Sequence, residues 1–174
     1  MAWQKLSSVI KYKNRFMTVT EDQVQTGHGD IVIYGVVHKQ PAVIVIPWDG
    51  AKLTLIRQYR YPVNFDSWEF PAGHYEHSSV EETALVELEE EAGLIAGKLK
   101  KIGEYHVAPG HNTQVCHVYL ATQLKTGKRH LETAEKGMTV AAFTRDEVNH
   151  MITNGEIKDG LTITSMKFFE QVVQ

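Results

Sequence analysis

The stretch Glu69-Phe70-Pro71-Ala72-Gly73, continued by Ser78-Ser79-Val80-Glu81-Glu82-Thr83-Ala84-Leu85-Val86-Glu87-Leu88-Glu89-Glu90-Glu91-Ala92-Gly93-Leu94, decides how this chain is read. It reads as a loop followed by a helix. Ser79 with Glu82 three residues on forms a capping-box start, Gly93 forms the stop, and only good or neutral helix formers stand between them. At about 100° per residue, Ala84, Leu85, Leu88 and Ala92 share one stripe, while Glu87, Glu90 and Glu91 share another about a third of a turn away. The first stripe is expected to pack and the second to face a cleft.

An acidic stripe is most often a solvated helix face. Such a face interleaves Lys or Arg at i+4, yet neither occurs between Arg60 and Lys98. The carboxylates also crowd the C-terminal half of the helix, where the macrodipole disfavours negative charge. Something positive is expected there. Three carboxylates within about one helical turn suit a hard divalent cation with oxygen ligands, Mg²⁺ or Mn²⁺. With Cys116 the only cysteine, soft-metal ligation is not in play.

Outward from this stretch, residues 42–47 and 53–56 are apolar runs on either side of a Trp48-Asp49-Gly50 turn, which reads as a hairpin of core strands. Arg57-Gln58-Tyr59-Arg60 ends the second run; Arg57 and Arg60 take opposite sides only if the strand continues through them. The first forty residues are β-rich: 7–20 alternates weakly, Gly27-His28-Gly29-Asp30 is a turn, and 31–37 is a strand. After the acidic helix, 98–108 and 114–121 read as strands around Ala108-Pro109-Gly110, and 138–143 as a further strand. Thr144 with Glu147 opens a short helix closed by Gly155, and a last helix over 161–173 carries Ile163, Met166, Phe169 and Val172 at helical spacing. Strands with helices covering both faces give an α/β/α sandwich with a mixed sheet. The expected division is a β extension over 1–38 and a main domain over 39–174.

The 174 residues, 43% hydrophobic, suffice for one domain with an extension. A net charge of −3 and the lack of a basic stripe argue against nucleic acid. No apolar run long enough to span a membrane and no signal peptide are read from the sequence, and one cysteine allows no internal disulfide, so a cytoplasmic setting is expected. Of the nine histidines, His77, His106, His111 and His117 show no zinc-site spacing.

At the acidic helix the chain resembles the Nudix hydrolases, whose signature is a glycine, five residues, a glutamate, seven residues, then Arg-Glu-apolar-x-Glu-Glu-x-Gly-apolar. Residues 87–94 match every specified position after the arginine. Val86 stands at the arginine position, Ser78 or Ser79 at the first glutamate, and the loop from Gly73 is one residue short. In the family that arginine and glutamate pair and steady the loop; losing both is less damaging than leaving one charge unpaired. Arg57-Gln58-Tyr59-Arg60-Tyr61-Pro62, Trp68-Glu69-Phe70-Pro71-Ala72-Gly73, Ala108-Pro109-Gly110 and Gly155-Glu156-Ile157-Lys158-Asp159 extend the likeness to the ADP-ribose pyrophosphatase branch.

The resemblance implies a Mg²⁺-dependent hydrolase that splits the pyrophosphate bond of a nucleoside diphosphate sugar, ADP-ribose to AMP and ribose 5-phosphate. It implies metal ligation by the Ala72 carbonyl, Glu87 and Glu91 with Glu90 in support. It also implies a homodimer formed by exchange of the N-terminal strands, and a catalytic base on the loop over 131–136, with Glu135 first and Glu132 in reserve. Arg60, Arg57, Glu69 and Gln114 are the candidate substrate contacts, an arginine being suited to bidentate phosphate binding. The plainer alternative for the arginine is a surface pair with Glu69 or Asp66. Gln114, standing where relatives often carry an acid, can bond substrate but cannot ligate a metal strongly. The altered signature leaves two other readings open: a nucleotide-binding module that has lost turnover, and a hydrolase of another nucleoside diphosphate derivative.

Overall fold

The computed structural model describes residues 2–75, 78–131 and 133–173. They form two compact units, residues 1–41 with 105–115, and residues 42–104 with 116–174.

The smaller unit is an antiparallel meander of β1 (Gln4–Lys13), β2 (Met17–Gln25) and β3 (Ile31–Lys39). Gly29, at φ 96°, supplies the left-handed residue of the turn between β2 and β3. Segment 108–114 closes onto β3, with Val37 N donating to the His111 carbonyl and Thr113 N to that of Val37. Gln114 is buried here, its side-chain amide donating to the Gln40 carbonyl at 2.8 Å.

The larger unit is organised on β4 (Ala42–Pro47), every residue of which is buried. It pairs parallel with β9 (Val115–Thr126) and antiparallel with β7 (Ala72–His74), in a four-stranded mixed sheet completed by β8 (Leu94–His106). A second sheet runs in the order β10 (Thr139–Thr144), β5 (Lys52–Arg60), β6 (Phe65–Glu69). The expected hairpin of core strands is therefore corrected. The turn after β4 sends the chain into the other sheet, with an isolated Trp48–Leu53 bridge at the turn in place of a ladder between the two strands. The stretch read as loop before the acidic helix is also more ordered than its composition suggests, since β6 and β7 flank Pro71.

Helix α1 (Val80–Ala92) packs on β4 and β7, and α3 (Gly160–Val172) also contacts β4. Val43 and Val45 join Ala84, Leu88 and Ala92 in one core cluster; strand alternation turns Ile44 and Ile46 to the opposite face. The helices thus cover both faces of the mixed sheet, as the α/β sandwich reading requires. Leu85 departs from the expected apolar stripe: it is 40% exposed, and Thr83 and Glu91 are buried instead. In α3, Thr162, Ser165, Met166 and Phe169 face inward, while Ile163 and Val172 remain partly exposed. Phe169 meets Trp48 edge to face at 5.3 Å.

Helix α2 (Arg145–Thr153) begins with a complete capping box, Thr144 Oγ1 accepting from Glu147 N and the Glu147 carboxylate accepting from Thr144 N at 2.7 Å. The bonds from the Thr144 backbone and hydroxyl hold the Glu147 carboxyl below its ordinary range. A depressed folded-state pKa means stability that is present above the ordinary carboxylate value and is lost as pH falls through the folded one. Glu147→Gln should therefore lower the urea midpoint near neutrality and flatten its decline between about pH 5 and 3. An unchanged acid limb would show that the box contributes nothing to folding.

Candidate active site

Pro71, Ala72 and Gly73 are pinned to the buried strand β4: the Pro71 carbonyl accepts from Val45 N at 2.9 Å, and Ala72 and Gly73 pair with Ile44 and Val43. On the other side α1 lies so close that a Cβ at Gly73 would land on the Glu87 carboxylate. Any side chain there would displace the Glu87 carboxylate from this place, while the backbone at Gly73 has no left-handed conformation that calls for glycine. One helical turn further, Glu91 is 2% exposed and its Oε2 accepts from the Ala72 backbone N–H at 2.8 Å. Burial pushes this carboxyl well above the usual range, and the charges of Glu87 and Glu135 push in the same direction; the Ala72 bond and Arg60 oppose them. The structure thus brings together Glu87, Glu91, Ala72 and Glu135, the last on a short 3₁₀ turn, Thr133–Glu135. Glu90 is half-buried on the same helix. Glu132 and His77 lie outside the described residues.

These groups suit a divalent cation. A buried carboxylate facing two like charges needs a proton or a cation. Among the described residues no three His, Cys, Asp or Glu side chains stand as a ready-made metal cluster. Two carboxylates at such a place suit a hard divalent cation that keeps several of its waters better than they suit an all-protein cage.

Arg60 is held by Glu69, Nε lying 3.1 and 3.0 Å from the two carboxylate oxygens and Nη2 2.5 Å from Oε2. The alternative weighed from sequence, pairing with Glu69, is thus present. Burial raises the Glu69 carboxyl above its ordinary value despite that pairing. Burial works against the Arg60 charge, but the bond and charge of Glu69 outweigh it and raise the guanidinium pKa. The side chain is nevertheless 43% exposed. It borders a cavity of about 430 Å³ with Val63, Phe65, Glu69, Lys158 and Asp159. Lys158 sits 4.4 Å above the Phe65 ring, and Asp159 caps α3 through Thr162 N.

Arg57 is not brought to this place. The strand does continue through both arginines, so their odd spacing puts them on opposite faces of β5, and Arg57 lies 6.0 Å from the Trp68 ring. Gln114 belongs to the smaller unit, where its amide is committed to Gln40.

Residues 38–162 match the family model described as NUDIX domain. The chain belongs to the Nudix family. Residues 3–37 match a second model, the nucleoside diphosphate sugar hydrolase N-terminal domain. The chain is 31% identical over 136 residues to an ADP-ribose pyrophosphatase of Bacillus subtilis (strain 168), covering 76% of this chain and 73% of that one. It is 29% identical to an ADP-ribose pyrophosphatase of Mycobacterium tuberculosis (strain ATCC 25618 / H37Rv), over 94% and 81% of the two chains. A crystal structure of an ADP compounds hydrolase superposes with a TM-score of 0.88 at 18% identity, covering 99% of this chain and 95% of that one, a likeness of fold. The Nudix hydrolase expected from residues 87–94 is therefore what the chain is.

Against that family's signature, the serines at the first-glutamate position have a local account. Ser79 Oγ accepts from Glu82 N at 3.0 Å, but the Glu82 carboxylate turns to the Ser78 backbone N–H and hydroxyl instead of completing the box. Both serines are thus spent on starting this Nudix helix. Sequence reasoning missed Arg129, whose Nε donates to the Glu91 carbonyl at 2.7 Å and whose Nη2 donates to that of Met138 at 3.1 Å. It is a cation at the acidic end of α1, delivered from 38 residues away. The unoffset carboxylates at a helix C-terminus were the signal that something positive was needed.

Removing one member of the Arg60–Glu69 pair should cost more than removing both. Arg60→Leu leaves Glu69 buried without its counter-ion, a loss of about 1–3 kcal/mol; adding Glu69→Leu should recover part of it. Urea unfolding of the two single variants and the double variant measures this, and a double variant as unstable as the sum of the singles would exclude the pair as their link.

Proposed function

We propose that this protein is a Mg²⁺-dependent hydrolase of nucleoside diphosphate sugars, cleaving the pyrophosphate of ADP-ribose to AMP and ribose 5-phosphate. The carrying observation is the buried Glu91 carboxylate, bonded to Ala72 and faced by the charges of Glu87 and Glu135. The two relatives described as ADP-ribose pyrophosphatases and the match of residues 3–37 support the substrate class.

Glu87, Glu91 and the Ala72 carbonyl, with Glu90 in support, would hold Mg²⁺, with Mn²⁺ a substitute. A divalent cation there neutralises phosphate charge and lowers the pKa of a bound water. Glu135 is the proposed base, its carboxylate accepting the proton of the attacking water, with Glu132 in reserve. Arg60 offers a phosphate its Nη1, which Glu69 does not engage. Glu69 acts through Arg60, fixing the guanidinium plane. Attack by water at one phosphorus breaks the P–O bond to the bridging oxygen, which leaves with the other phosphate.

A homodimer is part of the same reading. Trp3, just before β1, and Leu6, Val9, Ile10, Ile31 and Ile33 on β1 and β3 are 45–66% exposed, an amount of apolar surface that a second copy would cover.

The test is release of AMP from ADP-ribose, with ADP-glucose and a nucleoside triphosphate in parallel, at millimolar Mg²⁺ and with chelator. Turnover sensitive to chelator is expected, with ADP-ribose preferred. Glu91→Gln should reduce kcat by on the order of 100-fold or more while the circular dichroism spectrum is kept. A raised Tm with ADP-ribose but no product would instead identify a binding module that has lost turnover.

A further inference from the structure

An α-helix leaves its last carbonyls without intrahelical partners. At the end of α1 a single downstream segment takes three acceptors. Gly127 N donates to the Gly93 carbonyl at 2.8 Å, His130 N to that of Glu90 at 3.1 Å, and Arg129 Nε to that of Glu91 at 2.7 Å. Gly93 makes this approach feasible. A Cβ there would meet Arg129 Cγ at 2.9 Å, and its φ of 68° turns the chain out of the helix.

Arg129 differs from its neighbours in having a second attachment. Its Nη2 donates to the Met138 carbonyl at 3.1 Å, and Met138 N donates to the Glu135 carbonyl at 2.9 Å. One planar guanidinium therefore ties the helix bearing Glu87 and Glu91 to the far end of the loop bearing Glu135. Residue 129 at one end of that stretch and Met138 at the other thus meet through the same side chain. Glu135, within it, is close enough for its charge to act on Glu91.

We propose that Arg129 is a positioning residue for the hydrolytic reaction. It closes the 129–138 loop on the C-terminus of α1 and so sets Glu135 opposite Glu91. This rests on the reading of Glu135 as the base. Val86 occupies the position where the Nudix signature has its loop-steadying arginine; here an arginine from outside the signature steadies a different loop. A cation at a helix C-terminus also stabilises through the dipole. Lysine preserves that contribution but cannot reach two carbonyls with a fixed fork. The two roles therefore separate.

The experiment is steady-state hydrolysis of ADP-ribose by Arg129→Ala and Arg129→Lys, each in the native and the Glu135→Gln background. Alongside it, Tm is measured, as is hydrogen exchange at the His130 and Met138 amides. A misplaced base should cost kcat on the order of 10–100-fold with little change in KM. Arg129→Lys should keep Tm and lose kcat nearly as Arg129→Ala does, guanidinium ion should restore part of the alanine variant's rate, and the Met138 amide should exchange faster. In the Glu135→Gln background the same substitutions should add almost nothing, because both act through one group. Full activity in Arg129→Lys, or losses that multiply in the double variants, would overturn the proposal. Native kcat in Glu135→Gln would overturn the assignment of the base itself, and the role of Arg129 with it.

Discussion

A carboxylate withdrawn from water must find donors or a cation, and Glu91 is the place in this protein where that demand is sharpest. One of its oxygens is met by the backbone N–H of Ala72. That bond requires α1 and the Pro-Ala-Gly segment to be in one register, and the register is fixed by the pairing of Ala72 and Gly73 with the wholly buried β4. Gly73 admits the Glu87 carboxylate because it has no side chain. The acidic cluster is therefore a consequence of core packing. It cannot shift without moving the strand on which the sheet and two helices rest.

Positive charge is distributed around this cluster by different means. Arg60 comes from β5, held flat by the buried Glu69. Arg129 comes from the segment after β9 and bonds only to carbonyls in the interactions described for it. The first is oriented with part of its fork turned to a cavity, and the second is consumed in closing a loop. Arginines from two parts of the chain thus have different attachments, one to a carboxylate and the other to carbonyls, and in each case the fixed plane of the guanidinium is what the position uses.

Much of this was legible in the sequence because it is local. The limits of α1, the capping box of α2 and the match of residues 87–94 to the Nudix signature depend on neighbours within a few positions. The misreadings share a cause as well. Leu85, Ile163 and Val172 fit an apolar helical pattern but stay partly exposed, since a helix face is buried only where another element covers it. The β4 and β5 runs look like a hairpin, yet they separate into two sheets, a choice made by β9 and β7 on one side and β10 and β6 on the other.

By itself the sequence determined the family, through the signature over residues 87–94, and the acidic helix, because spacing along one helix already places carboxylates of one charge within a turn of each other. Tertiary structure decided what each polar group meets: Ala72 for Glu91, Glu69 rather than Asp66 for Arg60, Gln40 for Gln114, and the Glu91 and Met138 carbonyls for Arg129. A hydrogen bond is selected by proximity in space. Its partner can lie 38 residues away, where no periodicity in the chain can point to it.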